Sequence, residues 1–185
     1  MGESPVQKAA AKIAERLTEM NVPFVIVGGL AVGVHGHLRY TQGVDLLMTR
    51  EDLARFKERW LGLGWVERFR GSKGLRDTEY NLKVNVLITG DYPGDGKAAP
   101  VAFPHPATVA DLSKDNFPVL ALSALIELKL ASGLTTSDRP RDFDDVIQLV
   151  RANKLPRDFA AKLNPYVHAK YDELWLAAQT RHEEE

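Results

Sequence analysis

The chain has 185 residues, with 24 Lys+Arg against 25 Asp+Glu and a formal net charge of -1, a balance that excludes a polyanion-coating protein. It has no cysteine, which excludes a disulfide scaffold, thiol catalysis and Cys-ligated metal centres. No apolar run approaches the ~18 residues of a membrane span, and Met1-Gly2-Glu3-Ser4-Pro5 lacks the basic and apolar regions of a secretory leader; the expectation is a cytoplasmic protein without a membrane partner.

Ser4 followed by Pro5 reads as an N-cap and first helical residue, and Val6, Ala10, Ile13, Leu17 and Met20 recur at helical spacing until Asn21. Phe24-Val25-Ile26-Val27 suits a buried strand. Gly28-Gly29 then opens a helix of small residues through about His35, and Thr41 to Met48 reads as the next strand. A charged helix follows, with Leu53, Phe56 and Trp60 on one face and Gly62 or Gly64 stopping it. Trp65 to Phe69 and Thr78 to Ile88 read as further strands. The connection between them is rich in glycine, carries Arg68, Arg70, Lys73 and Arg76, and is expected to be exposed and mobile. Residues 89–107 are rich in proline and glycine and read as a loop.

The remainder reads as helix. One segment runs from Leu122 to Ser132, and a second starts at Pro140 with Phe143, Val146, Ile147 and Val150 on a stripe. A third starts at Pro165 with Val167, Tyr171, Leu174 and Trp175. Strands early and helices late predict an α+β fold with a small mixed sheet of about four or five strands. The predicted division is a core over residues 1–118 and a helical part, packed on it, over residues 119–185.

The most informative stretch is Val27-Gly28-Gly29-Leu30-Ala31, followed by Arg39-Tyr40-Thr41-Gln42-Gly43-Val44-Asp45-Leu46-Leu47. A strand ending in two glycines lets backbone approach a phosphate closely, although a tight, packed turn explains the same residues. Gly28-Gly29 fails the G-x-G-x-x-G spacing, and no lysine follows Gly33 as a P-loop would need. In context the arrangement resembles the nucleotidyltransferase superfamily, which has the fold of DNA polymerase beta. It looks in particular like the bacterial abortive-infection-type toxin nucleotidyltransferases. The likeness covers residues 20–90 and extends to Leu128-Lys129-Leu130-Ala131 and the span Arg139 to Asp145.

The resemblance implies metal-dependent transfer of a nucleoside monophosphate from NTP to a hydroxyl of RNA, protein or a small molecule. Two Mg²⁺ ions would activate the attacking hydroxyl and neutralise the leaving group, held by an Asp-x-Asp pair and a third carboxylate. Alternate residues of a strand share a face, so such a pair presents both carboxylates together. The resemblance places Gly43, Asp45 and Asn85 at those catalytic positions, with Asp45 the remaining metal ligand. It places Gly28, Gly29, Arg39, Thr41 and Lys129 at the nucleotide. Because Gly43 and Asn85 stand where the family has acids, Mg²⁺ has one carboxylate left, and an Asn oxygen brings neither charge nor basicity. Activity is therefore expected to be weak or absent. The alternative is an inactive protein that binds nucleotide, RNA or a partner such as a cognate antitoxin.

A regular strand would put Glu79 on one face with residues 81, 83 and 85, as a substitute acid, and Lys83 beside Asp45. Gly43→Asp combined with Asn85→Asp is expected to rebuild the metal site. Asp142, Asp144 and Asp145 read as first-turn acids pairing with Arg139 or Arg141; the resemblance would make Asp142 or Asp145 a buried structural partner. His35 and His37 lack zinc-ligand spacing, and Trp60, Trp65 and Trp175 read as core or interface anchors.

Overall fold

A computed structural model describes residues 3–112 and 117–180. Met1 and Gly2, on which the leader reading partly rests, lie outside the described residues. The first helix, α1 (Pro5–Glu19), opens on a capping box. Ser4 Oγ accepts from the Gln7 amide at 3.2 Å while the Gln7 side chain accepts from the Ser4 amide at 2.9 Å. Val6, Ala9, Ala10, Ile13, Ala14 and Leu17 form its buried stripe. The helix stops where Asn21 turns left-handed at φ 55.

In chain order there follow β1 (Val25–Val27), α2 (Gly28–Val34), β2 (Gly43–Met48), α3 (Arg50–Trp60), β3 (Trp65–Glu67), β4 (Leu75–Asp77) and β5 (Leu82–Ile88). Beyond a long connection come β6 (Ala110–Leu112) and β7 (Pro118–Leu120), then α4 (Leu122–Thr135), α5 (Pro140–Asn153) and α6 (His168–Gln179). The fold is α+β, as predicted. Among the described residues its mixed sheet has seven strands in the order β3-β4-β5-β2-β1-β7-β6. The surplus over the predicted sheet comes from β4, β6 and β7. Each is three residues long, too short to print an alternation, and β7 begins with a proline.

The chain forms two compact units, the first being Met1–Ala31, Arg39–Gly90 and Phe103–Leu120. In it, β2 and β5 run parallel while β1 pairs antiparallel with β2 and parallel with β7. Ile26, Val44, Leu46, Met48, Val84, Val86 and Ile88 join the stripe of α1, and Leu53 and Phe56 of α3, in one buried cluster. Alternation makes this a one-sided demand: the residues between these positions, including Asp45 and Asn85, belong to the opposite face. The second unit comprises Val32–Leu38, Asp91–Ala102 and Ala121–Glu185. There α5 packs on both α4 and α6 around Val146, Leu149, Val150 and the fully buried Tyr171.

Two of the predicted tryptophan anchors lie in the first unit. Trp65 is buried edge-on against Phe56 and Trp60, and Arg59 and Arg16 cover the Trp60 ring at 4.3 and 5.0 Å. In the second, the Trp175 indole donates to the Leu155 carbonyl at 2.8 Å.

Candidate functional site

Register puts Val27, Asp45 and Asn85 side by side across β1, β2 and β5, so their side chains share a face. The Asn85 amide nitrogen donates to Asp45 Oδ1 at 2.8 Å, and its carbonyl oxygen accepts from Arg68 Nη1 at 3.2 Å. These partners fix the amide's orientation, because a carboxylate offers only acceptors and a guanidinium only donors. Immediately after β1, Gly28 takes φ +62 and passes so close to Asp45 that a Cβ there would collide with Oδ2. Gly29 is also hemmed in, a Cβ meeting the Thr41 side chain at 2.8 Å and Arg39 Nη1 at 3.3 Å. Gly28, Gly29, Arg39, Thr41, Asp45 and Asn85 are thus brought together. Contacts within the protein account for both glycines, and α2, with seven residues, is short.

Gly43 lies opposite Lys83 in the β2–β5 register. A Cβ at Gly43 would stand 2.5 Å from the Lys83 backbone carbonyl oxygen. The glycine is what allows β2 and β5 to approach here. Restoring a carboxylate at position 43 therefore requires backbone to move, which overturns the expectation that Gly43→Asp can simply rebuild a metal site. Asn85→Asp, being isosteric, meets no such obstacle.

Two other expectations change. Glu79 does not lie on the strand with residue 85. Asp77 Oδ1 accepts from the Glu79 and Tyr80 amides at 2.9 Å each, Asn81 is left-handed at φ 53, and β5 starts only at Leu82. The turn delivers Glu79 to Lys12 of α1 at 3.3 Å, beside the Lys12–Asp77 pair at 3.1 Å, in which Asp77 is buried. Second, the basic connection after β3 is tied down. Glu67 accepts from Lys57 at 2.8 Å and from the Gly71 amide at 3.0 Å, and Lys57 also donates to the Ser72 carbonyl at 2.5 Å. The Lys57 hydrogen bond, then the Gly71 amide, hold the Glu67 carboxyl below its ordinary pKa. The Arg68 amide donates to the Gly74 carbonyl at 3.2 Å. Arg68 thereby becomes a positioned residue. Sequence reasoning noted its charge without linking it to Asn85, since only the β3-β4-β5 order brings the two together.

In the second unit, Lys129 of α4 lies 2.7 Å from Asp145 and 3.2 Å from Asp142 of α5. Asp145 is fully buried and Lys129 nearly so, at 9 % exposure. Asp142 and Asp145 of this helix turn thus pair with a lysine of α4, a partner that the sequence reading of Arg139 and Arg141 does not include. Unlike Asp142 and Asp145, Asp144 is exposed and accepts from Gln148 at 3.5 Å.

Asp45 and Asn85 do not suit a pair of divalent ions. One carboxylate is present, the Asn85 oxygen faces a guanidinium, and Gly43 admits no ligand. No group of three or more His, Cys, Asp or Glu able to hold a metal occurs among the described residues.

No protein-family profile matches the chain, and no curated protein sequence does. Solved structures do. An antigenic nucleotidyltransferase-like protein from Paracoccidioides brasiliensis has a TM-score of 0.56 at 14% identity, covering 96% of this chain and 93% of that one. The antibiotic-resistance factor ANT(2'')-Ia, in its solution structure, has a TM-score of 0.54 at 16% identity, covering 94% and 93%. The lincomycin-bound lincosamide antibiotic adenylyltransferase LnuA has a TM-score of 0.51 at 17% identity, covering 77% and 94%. At these identities the likeness establishes the fold, which is of the nucleotidyltransferase type.

Proposed function

We propose that this protein binds a nucleoside triphosphate on the sheet face carrying Asp45 and Asn85, and that metal-dependent nucleotidyl transfer is impaired in it. The observation that carries this reading is the side-chain chain Arg68–Asn85–Asp45, set against Gly28. A fold built for transfer keeps its central carboxylate, while the flanking position on β5 holds an amide that cannot act as a base. Gly28, Gly29, Arg39 and Thr41 form the nucleotide side, and Asp45 is the one carboxylate able to hold Mg²⁺. Residual transfer would go to a hydroxyl of RNA, protein or a small molecule. The adenylyltransferase among the similar folds supports the nucleotide half of this reading and leaves the acceptor open.

A second reading has the protein as a catalytically inactive binding component, of the kind found in toxin–antitoxin pairs. The steric closure of position 43 favours it, because that closure removes an acid together with the room for one. Lys129, for its part, would reach phosphates only by leaving two carboxylates.

Calorimetric titration of the four ribonucleoside triphosphates, with and without Mg²⁺, tests the binding. Incorporation of labelled NTP into total RNA, run beside it, tests the chemistry. Binding with little or no incorporation is the expected result. Absence of binding for all four under both conditions refutes the proposal, and fast incorporation by the unmodified chain refutes the impairment.

A further inference from the structure

A triphosphate needs positive charge wherever it binds, and metal ions or cationic side chains can supply it. At Asp45 the arrangement favours side chains. The Asn85 oxygen, a neutral ligand atom that a cation could share with Asp45, is turned to Arg68 at 3.2 Å, and the amide nitrogen is turned to Asp45. A divalent ion drawn to that oxygen would have to displace a guanidinium of like charge or sit against it. Two other cations lie near this part of the sheet face. Arg39 brings Nη1 to within 3.3 Å of the Cβ position on Gly29, next to the glycine that abuts Asp45. Lys83 is exposed on the same strand face as Asn85.

Arg68 is exposed, spends one donor on Asn85, and sits on a connection braced by Lys57 and Glu67. A guanidinium has five N–H donors in a rigid fork that matches phosphate oxygens, so bonding Asn85 leaves it competent to bind an anion. On these grounds, and resting on the nucleotide-binding reading above, we infer that the site takes the phosphates of a nucleoside triphosphate without a divalent cation. Arg68 supplies the charge, and Asn85 acts as the positioning residue that links it to Asp45. Asn85 in this role explains why an amide suits the position better than a carboxylate: the amide can donate to Asp45 and accept from Arg68 at once, whereas an ionised carboxylate only accepts.

Calorimetric titration of ATP into the full chain tests this, run once in EDTA and once in excess Mg²⁺. The unmodified protein is expected to bind with dissociation constants within about threefold of each other in the two buffers. Arg68→Gln is expected to weaken binding in EDTA at least about tenfold, the worth of one charge-assisted contact. Arg68→Lys keeps the charge without the fork and is expected between Arg68→Gln and the unmodified chain. Arg55→Gln on α3 removes the same charge elsewhere and is expected to change binding less than about twofold. Asn85→Asp replaces the donor toward Asp45 with a second carboxylate and is expected to make binding depend on Mg²⁺.

Binding by the unmodified chain in Mg²⁺ but not in EDTA overturns the inference and leaves nucleotide binding intact. No binding in either buffer overturns both. Equal losses in Arg68→Gln and Arg55→Gln overturn the role of Arg68 in favour of overall charge.

Discussion

The Lys129–Asp142–Asp145 cluster of the helical unit links a cation to carboxylates directly and the Arg68–Asn85–Asp45 chain of the sheet unit links one through an amide, at different depths. Lys129 and Asp145 are buried, so each is the other's replacement for water. Arg68 is exposed, and Asp45 and Asn85 are half-buried, so water or a ligand can take over any contact they release. Desolvation makes the first cluster costly to disturb, because a charge left unpaired in the interior has nowhere to turn. Screening makes contacts like the second cheap to exchange. Their difference separates a cluster suited to holding helices together from one suited to changing partners.

Breaking the buried cluster should produce the largest effect. Lys129→Met leaves Asp145 without its cation and is expected to cost about 3–5 kcal/mol of stability, read from urea unfolding. Arg68→Gln is expected to stay within about 0.5 kcal/mol of the unmodified chain in the same measurement. Similar costs for the two variants would erase the contrast.

Next in size is the close approach of β2 to β5. Gly43→Ala puts a Cβ 2.5 Å from the Lys83 carbonyl oxygen. It is expected to cost about 1–3 kcal/mol, the range for overpacking. Hydrogen exchange should speed up first along the Gly43–Met48 and Leu82–Ile88 strands. An unchanged exchange pattern would mean the strands part more easily than the register suggests.

Acid should give the smallest effect, and it sharpens the account of the exposed region. Since the folded Glu67 carboxyl titrates below its ordinary value of 4.5, its stabilising contribution is present above that pH and lost as pH falls through the folded pKa. Exchange of the Gly71 amide, which donates to Glu67, is expected to lose protection over that window. Glu67→Gln should make that protection independent of pH there.

What could be read from the chain depended on how far apart the cooperating residues lie. The start of α1 was legible because Ser4 and Pro5 signal side by side, and its stripe because Val6, Ala10, Ile13 and Leu17 repeat at helical spacing. The alternation of β5 was equally plain, but its start was not. A left-handed Asn81 and the turn built on Asp77 leave no distinctive trace in composition, so Glu79 was misplaced. The nearness of Gly28, Asp45 and Asn85 followed from the resemblance of their motifs to the nucleotidyltransferase pattern. The part of Arg68 did not, because it lies 17 residues from Asn85 and reaches it only through the hairpin order of β3, β4 and β5. The tightness at Gly43 was invisible for a further reason, since a glycine reports that a side chain is missing without saying what stands in its place.

The place of β7 in the sheet bears on how the protein is made. Its partner β1 ends at Val27, yet β7 begins only at Pro118 and lies parallel to it. As synthesis proceeds, β1 to β5 can pair while one flank of β1 still lacks its neighbour, and that flank is a row of open backbone groups. Joining it requires closure of a long stretch of chain, a slow step among strand pairings. Until that closure the half-built sheet offers Val25–Val27 to any passing strand, so the emergence of Pro118–Leu120 from the ribosome marks the point at which this protein can protect itself from aggregation.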